Sequence, residues 1–250
     1  VPITAVVLAI AATTTMDATG FSAFSAFALT PLMFLFWAIE RLPATKIGFK
    51  WGTLRDYTLA LLFPIVAIGA VGLFAAIAGS AHLSGAKWNK AILNMIVLTT
   101  FTFLAAIVTE EGFFRGWLWG SLEKRGMKRS RIIVWTSVAF ALWHISAATI
   151  DPEFKPPIAQ VPIFLANAAV IGAAWGVIRA ISGSILVSSA SHGFWNGIVY
   201  VLFGFGTKPG ALGITNTVIF GPEIGIVGLI VNLLLTIVLW RYWKANRAID

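Results

Sequence analysis

The sequence predicts an all-α protein, a polytopic transmembrane helical bundle of about eight spans, the first of them partial. Three features carry that reading. Hydrophobic residues fill 58% of the 250 positions and charged residues only 11%, against about 25% charged in a soluble domain. The apolar residues gather in runs close to the roughly 20 needed to cross a bilayer. The basic residues, which give a net charge of +8, sit in short stretches between those runs. Membrane loops place their charge that way, and a nucleic-acid surface does not. One integral-membrane domain over residues 1–250 is expected, with the lipid bilayer as its solvent and no nucleic-acid partner. The chain has no cysteine, which excludes disulfides, thiol nucleophiles and thiolate metal sites.

The elements follow in order. Residues 2–12 are apolar but short, and read as a truncated or tilted span. Residues 21–39 make a full span with a kink at Pro31. A loop with Arg41, Lys46, Lys50 and Arg55 leads to a span at 59–78. Residues 91–120 read as one helix. Its end has Gly112, Gly116 and Gly120 at every fourth position, a close-packing face. Trp117 and Trp119 between them read as an interfacial aromatic belt. The most basic loop, 121–131, precedes a span at 132–148. A polar, proline-rich loop at 151–157 precedes a span at 161–178, where Gly172 and Gly176 form a second packing pair. Spans at 185–203 and 224–240 flank a loose Gly/Thr/Asn segment at 204–222. Loops on one side, with the C-terminal tail (Arg241, Lys244 and Arg247), hold 13 basic residues, and those on the other side hold 4. The positive-inside rule then puts the 121–131 loop and the C-terminus in the cytoplasm.

Three spans carry polar residues that a bilayer core disfavours, at roughly 2.5–3.5 kcal/mol for a charge. The first has Glu110, Glu111 and Arg115, the second Phe140 and His144, the third His192 and Asn196. Glu111 and Arg115 are four apart with the acid first, the better-oriented helical ion pair. Glu110 points about 100° away and is left for chemistry. Counted from the span ends, all three sets fall in the cytoplasmic half of the membrane. Such a set suits acid–base catalysis at a carbonyl. A glutamate takes a proton from water, a histidine holds the water or passes the proton on, and imidazole and amide N–H groups stabilise an oxyanion.

Other readings fit parts of the set. Glu110, His144 and His192 contain the donors of a zinc site, although the His-Glu-x-x-His pair is missing. Intramembrane carboxylates and histidines also serve transport or ligand binding, and the bundle could be a scaffold. Ser184, Ser188, Ser189 and Ser191 lie near His192, but a run of small residues is more simply a helix-packing face. Substrate entry is expected through a lateral or cytoplasmic opening built from 204–222 and 112–120.

Glu110-Glu111-x-x-x-Arg115, Phe140-x-x-x-His144 and His192-x-x-x-Asn196 together resemble the CAAX protease and bacteriocin-processing family of intramembrane proteases, which includes the type II CAAX prenyl endopeptidases. The three motifs fall within a core at 91–203. The resemblance implies glutamate-dependent peptide hydrolysis without a metal or other cofactor, near the C-terminus of a membrane-associated, in some members prenylated, protein or peptide. In that scheme Glu110 and His144 activate water, His192 and Asn196 form the oxyanion hole, and Glu111 and Arg115 support Glu110. Phe140, read from its position alone, is a packing residue, against the histidine ring or within the core.

Overall fold

A computed structural model describes residues 1–83 and 85–247. The side chain of Arg247, counted above on the basic side, lies outside the described set, as do residues 248–250.

Helix α1 (Pro2–Ala18) starts on a proline, whose missing N–H is no loss in a first turn. It runs further than residue 12 and buries Ala5, Ala9, Thr13 and Asp17, at every fourth position. A 3-10 segment, Ser22–Ala28, leads into α2 (Leu29–Glu40). Pro31 itself stands third in α2, where N–H groups have no partner within the α-helix. A single helical turn, α3 (Ala44–Ile47), precedes α4 (Leu54–Ile77), which opens on a reciprocal cap between Thr53 and Asp56.

Helix α5 (Trp88–Val108), a π-helix (Glu111–Leu118) and α6 (Trp119–Lys124) make up what the sequence presents as one helix. Helix α7 (Arg129–Trp143) is separated from the short α8 (Ile145–Thr149) at His144. Helix α9 (Val161–Ser182) ends on Gly183 in a left-handed conformation, and Ser184 caps α10 (Ile185–Leu202). The segment expected to be loose holds a two-stranded antiparallel hairpin, β1 (Gly204–Phe205) with β2 (Lys208–Pro209), and one helical turn, α11 (Thr217–Phe220). Helix α12 (Ile226–Arg247) follows.

Among the described residues seven helical segments are long and apolar enough to cross a membrane, and Pro2–Ala18 is a shorter apolar helix. The outer side of α5 shows what covers them. Ile92, Leu93, Ile96, Val97, Phe101 and Leu104 are all exposed, a stripe that lipid and not water solvates. Helix α10 lies inside, against α5, α4 and α9. Its glycines permit that. A Cβ on Gly193 would stand 2.5 Å from the Phe103 amide nitrogen of α5. On α9, a Cβ at Gly176 would stand 3.2 Å from Ile133 of α7. Both are small-residue contacts of the kind that hold helices together in lipid.

Candidate active site

Glu110 and Glu111 follow a break in their span. Helix α5 stops at Thr109, whose backbone leaves helical geometry (φ −103°, ψ −108°). The Thr30 hydroxyl donates to the carbonyl of Val108 at 3.1 Å, so the break leaves that group satisfied. The chain then winds more widely through Glu111–Leu118, and every residue of that π-helix is buried. The Arg179 guanidinium of α9 donates to the Arg115 carbonyl at 3.1 Å. Side-chain insertion of this kind is a known cause of departures from α-helical winding, and π segments gather at functional sites.

The predicted ion pair forms. Arg115 Nη1 lies 3.3 Å from Glu111 Oε1, and both side chains are wholly buried. Arg115 also donates through Nη2 to the Gly172 carbonyl at 2.8 Å. Its guanidinium carbon stands 4.4 Å from the centre of the Phe140 ring, a cation–π contact. His192 Nδ1 is 3.2 Å from the same Glu111 oxygen. Glu111 is thus enclosed by two donors from different spans.

Glu110 faces the other way, into a cavity of about 160 Å³ shared with His144, His192 and Asn196. Its Oε2 lies 4.0 Å from His144 Nε2 and 3.8 Å from His192 Nε2. His144 sits at the joint between α7 and α8, with Nδ1 2.8 Å from the Phe140 carbonyl. A carbonyl only accepts, so Nδ1 carries a proton, and Nε2 is the nitrogen turned toward Glu110. The His192 ring is stacked on Trp175, with centroids 3.9 Å apart and planes 14° from parallel. Phe140 lies 4.4 Å from the His144 ring and 6.3 Å from the His192 ring. Its expected packing beside the histidine is therefore present, and it touches both.

Residues 92–198 match the family model described as type II CAAX prenyl endopeptidase Rce1-like. The chain carries an Rce1-like domain. No curated protein matches the chain in sequence. The match indicates a peptidase in general, and the seven apolar helices indicate a membrane protein. The Rce1-like domain begins in α5 and ends in α10, so all three sequence motifs fall inside it.

Parts of the surroundings differ from expectation. Trp117 and Trp119 are 0% and 2% exposed. They fill the core beneath the Rce1-like motif and form no interfacial belt. The glycines beside them do pack closely, with a Cβ at Gly116 or Gly120 falling 3.1 or 3.2 Å from Ile47 or Lys46. Because 112–120 is buried, it forms no opening. The cavity is lined by Phe140, Trp175 and His192 together with Asp151, Phe154, Phe205 and Glu223. The last four belong to the 151–157 and 204–225 segments. Among the described residues, none of the four serines near His192 lines the cavity. Ser184 is used on the Lys50 carbonyl and Ser188 on Ile185.

Trp175, Tyr200 and Glu223 also line the cavity and were not anticipated. Among the described residues, no three His, Asp or Glu side chains are grouped to hold a metal ion.

Proposed function

We propose that the protein is an intramembrane endopeptidase in which Glu110 is the general base, with residues 91–203 as its catalytic core. The observation that carries this is the disposition of Glu110 between two imidazoles. Both separations are too long for direct hydrogen bonds and leave a water within reach of Glu110 Oε2 and His144 Nε2. That water can give its proton to the carboxylate while His144 holds it by its lone pair. Attack on a peptide carbonyl then moves negative charge onto the carbonyl oxygen. His192 is held by Trp175 on one face and by Glu111 at Nδ1, which leaves Nε2 to meet that oxygen. Asn196 lies one helical turn further on α10 and offers an amide N–H to the same cavity.

The oxyanion role requires both His192 ring nitrogens to be donors, Nδ1 to Glu111 and Nε2 to the oxyanion. Glu111 and Arg115 act by holding His192 and the π-helix rather than by touching substrate. The basic loops and the C-terminus face the cytoplasm. The substrate class is that of the family, a bond near the C-terminus of a membrane-associated protein, prenylated tails included.

Mapping of membrane-protein termini in cells carrying wild type or Glu110→Gln tests the proposal. New termini that depend on Glu110 are expected. None, with both proteins equally abundant and folded, would overturn the glutamate mechanism.

A further inference from the structure

Outside the three motifs, two membrane helices spend buried amides on one loop. Asn167 of α9 and Asn232 of α12 are both 0% exposed. Asn167 Nδ2 donates to the carbonyls of Pro222 and Glu223, at 2.7 and 2.9 Å. Asn232 Nδ2 donates to Asn167 Oδ1 at 2.9 Å and to the Pro222 carbonyl at 3.1 Å. Polar side chains inside spans are rare and expensive unless they are used. Here they fix the backbone of Pro222 and Glu223. The Glu223 side chain is fixed as well. Trp195 of α10, next to Asn196, donates its indole N–H to Glu223 Oε1 at 2.8 Å. Three spans thus hold one carboxyl at the wall of the cavity that contains Glu110, His144, His192 and Asn196.

The rest of that wall gives the carboxyl its meaning. Its titratable groups are Glu110 from the break after α5, His144 between α7 and α8, Asp151 from the following loop, His192 and Tyr200 from α10, and Glu223 itself. No lysine or arginine lines it among the described residues. The nearby Arg115 is buried on Glu111 and Gly172. A carboxylate on the substrate would find no lysine or arginine here, and a basic side chain would find a fixed, desolvated acid.

We infer that Glu223 is a specificity-determining residue, selecting substrate segments that carry a basic side chain beside the scissile bond. The inference rests on the peptidase reading above. Its protonation behaviour fits. Burial raises the Glu223 carboxyl to about 7, against the lowering by the Trp195 hydrogen bond and His192, with Glu110 adding to the rise. Below that pH the acid is neutral and has little preference. Above it the carboxylate is formed, so preference for a cation grows as pH rises through about 7.

The test uses the purified full chain in lipid nanodiscs and three quenched peptide sets, alike except for Lys, Gln or Glu beside the cleaved bond. The quantity read is the ratio of Lys-set to Glu-set cleavage within one preparation, which does not depend on the active fraction. Wild type is expected to favour Lys over Gln by about tenfold through KM, the scale of one charge-assisted hydrogen bond, and to disfavour Glu. Glu223→Gln, which keeps an acceptor for Trp195, is expected to level the ratio and remove its pH dependence. Glu223→Lys is expected to invert it. An unchanged ratio in both variants would overturn the inference. Cleavage of the sets that is untouched by Glu110→Gln would overturn the glutamate mechanism alone. No cleavage by wild type would overturn both.

Discussion

Glu110 and Glu111 are neighbours in the chain and opposites in environment. Glu111 is fully buried, with Arg115 at 3.3 Å and His192 at 3.2 Å. Glu110 is 16% exposed, and its nearest partners are imidazoles at 3.8 and 4.0 Å. One carboxylate is paired at Oε1 with two donors, and in the proposed mechanism the other is left for a reactant. The contrast teaches that a single turn of chain can separate support from chemistry, provided the backbone is re-aimed just before it. The break at Thr109 and the wide winding after it do that.

Substitutions at four positions probe the contrast, from the largest effect to the smallest. Glu110→Gln should lower kcat by about 10²- to 10⁴-fold, the range of general-base loss, while thermal unfolding stays near wild type. A Glu110→Gln protein that cleaves normally would end the distinction between the two acids. Arg115→Ala should destabilise the fold by about 3–5 kcal/mol, because it strands a buried carboxylate. Denaturation in detergent measures this, and Arg115→Lys should rescue little, since the planar fork serves Glu111 and Gly172 together. Asn196→Ala should cost about 2.7–4 kcal/mol in kcat/KM with no change in unfolding, as for an oxyanion donor. Gly172→Ala should destabilise by about 1–3 kcal/mol through overpacking. Its Cβ would stand 2.9 Å from Arg115 Nη2 and 3.2 Å from Phe140. If that change alters kcat but not stability, the sealed side is coupled directly to the chemistry.

Much of this was legible in the sequence, for reasons that can be named. The spans were legible because lipid demands long apolar runs, and the Glu111–Arg115 pair because four-residue spacing survives even the wider winding. The convergence of Glu110, His144 and His192 was legible because polar groups in spans are few. The break at Thr109 was not, since it depends on Thr30 and Arg179 from distant spans. Trp117 and Trp119 misled because an amphipathic ring suits an interface and a crowded core equally well. Glu223 was missed because it sits in a polar loop, where a carboxylate attracts no notice. Asn167 and Asn232 inside apolar runs were the available signal, and the rule that flagged the histidines applies to them equally.

The amide pair has a consequence for biogenesis. Helix α12 is synthesised after every helix that lines the cavity, and Asn232 is the residue on it that reaches Asn167 and the Pro222 carbonyl. Insertion proceeds from the N-terminal side, so Asn167 and Trp195 can meet the Glu223 loop before Asn232 arrives. Helix α12 then adds the last two hydrogen bonds, at 2.9 and 3.1 Å, to a wall already begun.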